Sequence, residues 1–210
     1  MELSLDKKNR TIGITGGIGS GKSMVSQILR TMDFFVYDSD FWAKELVKTD
    51  VEIRTQLISA FGTQAYIQGE YNRSYIAKLV FQDPTLLEKL NSIIHPKVKQ
   101  HFQQWCLEHA ESPFVFKESA LIYSHNLDKD LMDVWVVTAP KQVRINRVVL
   151  RDGVAPEDVE KRMENQMPQE VMEASGGKVL KNDSENALIP QILDILEGYE
   201  RTGENTIRRS

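Results

Sequence analysis

Apolar positions along the chain follow two alternating patterns. Short continuous runs rich in β-branched and aromatic residues predict strands at residues 11–15, 34–37, 114–117 and 134–138, with a weaker one at 178–181. In the run DVWVVTA the apolar residues are uninterrupted, as expected of a strand covered on both faces. Between the strands apolar residues recur at helical spacing. Met24, Val25, Ile28, Leu29 and Met32 form the buried stripe of a first helix. This alternation predicts an α/β fold, a three-layer domain around a parallel five-stranded sheet.

Two stretches exceed what crossover helices require. About 75 residues separate the second and third strands, and they are helix-patterned throughout. They predict an inserted helical subdomain that binds the second substrate, at about residues 60–100, followed by a helix returning to the sheet. After the fourth strand, KQVRINRVVLRDGVAPEDVEKRMENQM reads as two helices broken by a turn at Asp152-Gly153-Val154-Ala155-Pro156. That pair is the candidate helical lid, at about residues 147–170. From residue 198 the chain turns polar and loses its period, so residues 198–210 are expected to fray.

Composition narrows the function classes. A chain of 210 residues supports a single domain with one core and a helical appendage. Its net charge of −4 offers no basic excess for holding a polyanion, so no nucleic-acid partner is expected. A single cysteine, Cys106, excludes an internal disulfide and a thiolate metal cluster. The opening MELSLDKKNR lacks the apolar core of a signal peptide, and no stretch has the length of a membrane span. A cytoplasmic protein without a membrane partner, monomeric or weakly self-associating, is the expectation.

The chemistry begins at Gly16-Gly17-Ile18-Gly19-Ser20-Gly21-Lys22-Ser23, which fits G-x-x-x-x-G-K-[ST] between a predicted strand and a predicted helix. Glycines let backbone amides approach phosphate oxygens, and the following helix adds its positive end. Gly17, Ile18, Gly19, Ser20, Gly21, Lys22, Ser23 and Met24 are therefore the candidate nucleotide-binding residues. Lys22 reaches the β- and γ-phosphates of ATP, and the Ser23 hydroxyl is the candidate ligand of Mg²⁺.

A phosphate loop specifies the donor and leaves the acceptor open. The Asp-x-x-Gly and Asn-Lys-x-Asp signatures of a GTPase do not occur. A motor ATPase closes its third strand with an acidic residue, and FVFKE ends in Glu118, which leaves that class weakened but alive. The second predicted strand runs into FFVYDSD, placing Asp38 and Asp40 at the strand's carboxyl end, where open α/β sheets bind ligands. Asp40 is the candidate to accept the proton of an acceptor hydroxyl or to orient it. Asp38 is a candidate substrate or Mg²⁺-water partner, and either residue is equally suited to cap a helix. A regulatory nucleotide switch without an acceptor is the competing class.

GITGGIGSGKS followed by VYDSDFWAKEL resembles the dephospho-coenzyme A kinase family. The likeness continues through Phe61-Gly62, Gly69 and Arg73, LNSIIHP, and QVRINRVVLRDG, and it reaches Asn182. The resemblance implies ATP-dependent phosphorylation of the ribose 3′-hydroxyl of dephospho-coenzyme A, with the middle helices holding the pantetheine arm. It implies Asp40 as general base, His95 as a hydrogen-bonding group at the acceptor and Arg73 as a partner of a substrate phosphate. A helix start for His95 and a solvated helix face for Arg73 are the plainer readings.

Arg147 and Arg151 share a helix face, suited to the transferring phosphoryl group and to the adenine respectively. Arg144 reads as ordinary helix surface. Arg162 and Gln166 repeat the spacing on the second lid helix. Trp42, Tyr66, Tyr71 and Trp105 read as core. Two positions depart from the family pattern. Ser124 stands where an acidic residue is frequent, leaving Glu118 as the substitute carboxylate. Gly176-Gly177 replaces Ala-Asp, which changes the loop expected beside the adenine.

Overall fold

The computed structural model describes residues 10–201. In chain order its elements are β1 (Thr11–Thr15), α1 (Lys22–Thr31), β2 (Phe35–Asp38), α2 (Ser39–Thr49), α3 (Val51–Phe61), β3 (Tyr66–Ile67), β4 (Glu70–Tyr71), α4 (Arg73–Gln82) and α5 (Pro84–Glu108). They continue with β5 (Val115–Glu118), β6 (Asp133–Thr138), α6 (Lys141–Asp152), α7 (Pro156–Glu164), α8 (Gln169–Ala174), β7 (Lys178–Lys181) and α9 (Leu188–Arg201). Every expected strand is present to within a residue at either end. The described residues divide into two compact units, the first made of the residues on either side of Asp38–Glu108 and the second of Asp38–Glu108 itself.

The first unit is built on a five-stranded parallel sheet of order β2-β5-β1-β6-β7. Ile12 of β1 stands opposite Phe116 of β5 and Asp133 of β6, so β1 is central and the loop that follows it leaves between two strand ends. Alternation along β6 explains the layers. Trp135 and Val137 join Ile12, Ile14, Val25, Leu29, Phe116, Ile192 and Leu196 in a core under α1 and α9. Val134 and Val136 point the other way, to Ile122 and Met172 of α8. Both faces of β6 are buried, which is why its sequence does not alternate.

α9 corrects the expectation of a tail that frays from residue 198. It runs through Gly198 to Arg201, and Tyr199 is 5% exposed. The Tyr199 hydroxyl accepts from the buried Trp135 Nε1 at 2.9 Å and donates to Asp133 Oδ2 at 2.6 Å, pinning the helix to the sheet. The rest of the expected tail, from residue 202, lies outside the described residues. Tyr199→Phe strands the Trp135 indole N–H without its acceptor. We expect it to lower stability by about 1–3 kcal/mol in denaturant titrations, with nucleotide affinity unchanged.

The second unit joins α2–α5 to a hairpin. It is wider than the stretch of residues 60–100 expected from sequence, and it is not wholly helical. β3 and β4 pair through Tyr66–Tyr71 and Ile67–Glu70. Gln68 and Gly69 between them both take positive φ, 51° and 92°, as a two-residue type I′ connection requires. Strands this short leave no period in the sequence. Tyr66 is buried, donates its hydroxyl to the Val47 carbonyl and lies under the Arg54 guanidinium; burial raises its pKa to about 12, so it remains a donor.

Candidate active site

β1 ends at Thr15 and α1 begins at Lys22, so the loop has six residues in which to reverse the chain. Gly21 precedes the helix in the left-handed region, at φ 98° and ψ 26°, a position that favours glycine. No side chain caps α1, and no acidic residue occupies its first turn. Its first amides and the positive end of its dipole are thus left to an anion.

For the loop's N–H groups to face a phosphate, its carbonyls must be satisfied elsewhere. Lys22 Nζ donates to Gly16 O at 2.7 Å and to Gly17 O at 3.3 Å, and the Ser20 amide donates to Gly17 O at 3.2 Å. Arg144 Nε donates to Ile18 O at 2.9 Å. Ser20 O accepts from Asn182 Nδ2 at 2.9 Å and from Arg147 Nη1 at 3.5 Å. Arg147 Nη2 reaches Asn182 Oδ1 at 3.4 Å, so these two side chains support each other beside the loop. The buried hydroxyls of Thr15 and Ser20 have no hydrogen-bond partner among the described residues. Two cations, Lys22 and Arg147, with the loop amides and the spare hydroxyls of Thr15 and Ser20, make a donor set that fits a polyphosphate.

Glu118 closes β5, and its Oε2 accepts from Ser26 Oγ at 2.7 Å. Ser26 is three residues along α1 from Ser23, on the same helix face. A carboxylate therefore stands one turn from the candidate Mg²⁺ ligand. Ser124 is exposed and bonds to Leu121 O and to the His125 ring, the bonds of a turn.

Arg144 corrects the surface reading. It is 8% exposed, and burial pulls its pKa down, an effect partly offset by Glu170. Arg151 is turned to its neighbour Asp152, donating from Nε at 2.7 Å and Nη2 at 3.1 Å, and Arg162 donates to the same carboxylate at 3.2 Å. These bonds hold Asp152 below the usual carboxylate range and raise Arg151, each fully in its charged form. Met24 is 52% exposed at the start of α1.

The remaining candidates belong to the second unit. Asp38 caps α2, accepting from the Phe41 amide at 2.9 Å, while Asp40 is exposed in the first turn of that helix. Arg73 is the exposed first residue of α4. His95 corrects its plainer reading: His95-Pro96 lies inside the 25-residue α5 rather than at a helix start. Inside a helix, proline removes one ladder bond and its ring crowds the carbonyl four residues earlier. Trp42 packs its ring 4.2 Å from the His101 ring on α5.

Comparison with known proteins decides the family. The dephospho-CoA kinase family model matches residues 10–187. The chain belongs to the dephospho-CoA kinase family. A dephospho-CoA kinase of Porphyromonas gingivalis is 40% identical over 188 residues, covering 89% of this chain and 93% of the relative. One from Bacteroides fragilis is 38% identical over 185 residues, covering 88% and 90%. Among solved structures, a Thermus thermophilus protein superposes with a TM-score of 0.79 at 31% identity, covering 93% of this chain and 98% of that one. A dephospho-CoA kinase from Campylobacter jejuni shares the fold at a TM-score of 0.59 and 18% identity, covering 94% and 100%.

Within this chain, Gly176-Gly177 has a steric explanation. Gly176 takes φ 93°, and a Cβ on Gly177 would lie 2.5 Å from the Val134 carbonyl oxygen and 2.7 Å from the Tyr123 hydroxyl. The pair lets the chain enter β7 against β6. Asn182, Arg144 and Gln166 are the side chains on the loop that sequence reasoning undervalued. One signal was available: 144, 147 and 151 follow a helical repeat, so Arg144 shares a face with Arg147.

Proposed function

We propose that the chain transfers the γ-phosphoryl group of ATP to the ribose 3′-hydroxyl of dephospho-CoA, releasing ADP and coenzyme A. The observation that carries this reading is the phosphate loop with its carbonyls capped by Lys22, Arg144, Arg147 and Asn182, in a chain of this family.

The roles follow from residue chemistry. Amides of Gly19, Gly21, Lys22 and Ser23 and the positive end of α1 hold the phosphates, and Lys22 and Arg147 neutralise charge on the transferring group. Asp40 takes the proton of the 3′-hydroxyl as the bond to phosphorus forms. Ser23 and Glu118 are the residues suited to hold Mg²⁺, which supplies charge neutralisation across the phosphates. Asp38, Arg73 and His95, all in the Asp38–Glu108 unit, are the proposed contacts to the acceptor. The α6–α7 pair is the proposed lid, with Arg151 released from Asp152 to meet the adenine. Closure excludes water, which otherwise consumes ATP. No described helix is long and apolar enough to cross a membrane.

The test is ADP release from Mg·ATP with dephospho-CoA, AMP, adenosine, shikimate or no acceptor. Stimulation by dephospho-CoA alone is expected. Turnover indifferent to every acceptor would instead favour a nucleotide switch.

A further inference from the structure

Ile18 lies at the middle of the phosphate loop and is gripped at three points. Its carbonyl accepts from Arg144 Nε at 2.9 Å, and its N–H donates to Gln166 Oε1 at 2.8 Å. Its side chain packs against the apolar cluster of Ile145, Val148 and Val159 on α6 and α7. Arg144 is anchored in turn, with Nη1 reaching Gln169 Oε1 at 3.4 Å, and that oxygen also accepts from the Ala139 amide at 3.3 Å. The approach is close throughout. A Cβ on Gly19 would lie 2.4 Å from the Arg144 carbonyl oxygen, and one on Gly17 would lie 2.1 Å from Arg144 Nη2.

We propose that Arg144 and Gln166 are positioning residues that hold the phosphate loop in its nucleotide-binding shape through the two backbone polar groups of Ile18. The proposal rests on the reading that this loop holds the nucleotide phosphates. A loop with glycine at 16, 17, 19 and 21 has many conformations in which its amides do not converge. Ordering it at the moment of binding would subtract directly from affinity, whereas a loop ordered beforehand binds without that loss. Neither side chain needs to touch the nucleotide. Gln166 has already consumed the Ile18 N–H, so that amide is a fixing point rather than one that faces a phosphate. Because both clamps come from the α6–α8 segment, the shape of the loop is tied to the packing of that segment.

The test measures Mg·ATP and Mg·ADP binding by calorimetry without any acceptor, together with amide hydrogen exchange across residues 16–21, in the full chain. Gln166→Met keeps the length and removes the acceptor. Arg144→Lys keeps the charge and removes the planar fork. Each is expected to raise the nucleotide dissociation constant and the KM for ATP roughly tenfold, and to speed exchange at the Ile18 amide. The acceptor KM at saturating ATP should not move. The double variant should lose less than the product of the two single losses, since both act on one residue. Wild-type affinity and wild-type exchange in both single variants, with only thermal stability lowered, would overturn the proposal. If the wild type binds Mg·ATP but ignores dephospho-CoA, the functional reading fails and the clamp is still decided by affinity. If it binds no nucleotide, the clamp is decided by exchange alone.

Discussion

Lys22→Ala should abolish useful phosphoryl transfer, lowering kcat by roughly 10³-fold with any acceptor. In the structure its ammonium group caps the Gly16 and Gly17 carbonyls at the first residue of α1, where the positive end of the helix adds to its charge. The substitution therefore removes two things together. It takes away the cation proposed for the charge that develops on the transferring oxygens, a loss worth about 10²–10³ for one donor. It also uncaps two loop carbonyls, freeing them to turn inward against the phosphates. Lys22→Arg separates these effects, because a guanidinium keeps the charge but has a planar fork too broad for the same seat. Steady-state turnover at saturating Mg·ATP checks the expectation. An alanine variant within tenfold of wild type would mean that the loop is not the donor site.

The second large effect is expected at Asp40. Asp40→Asn should lower kcat by two or more orders of magnitude while Mg·ATP affinity and thermal stability stay near wild type. The two aspartates of the D-x-D sequence differ in what they bond. Asp38 uses its carboxylate to cap α2 at the Phe41 amide, and Asp40 is exposed on the first helical turn. An exposed carboxylate in that turn gains little from the helix dipole, so its removal costs little stability. Loss of a general base costs the rate alone. Asp38→Asn is the matched control: asparagine caps as well as aspartate, so a mild effect there and a severe one at Asp40 would fit the assignment. Near-normal turnover in Asp40→Asn would remove it as the base.

Much of this molecule was readable before its coordinates. The strands were legible because a sheet buried on both faces demands continuous apolar runs, as in β6, and the loop was legible because each of its positions has a backbone reason. Arg144 was not. Its burial depends on Gly17 and Gly19, far away in the sequence, which leave room for a guanidinium, and no local pattern records that vacancy of side chains. The β3–β4 hairpin was missed because two-residue strands have no period, though Gly69 marked its turn. The extent of α9 was missed for a different reason. Leu188, Ile192, Ile195, Leu196 and Tyr199 carry the helical repeat through residue 199, and the surrounding polar residues masked its last turn. The likeness to the family was legible from the order and spacing of the phosphate loop, the D-x-D and the L-N-x-x-x-H-P blocks.

The most direct test of the account is the identity of the product. Wild-type chain, Mg·ATP and dephospho-CoA are incubated together, and the phosphorylated product is followed by phosphorus NMR and mass spectrometry. The account predicts coenzyme A formed one-for-one with ADP, bearing its new phosphomonoester on the ribose 3′-oxygen. Release of ADP with inorganic phosphate and unchanged dephospho-CoA would contradict it.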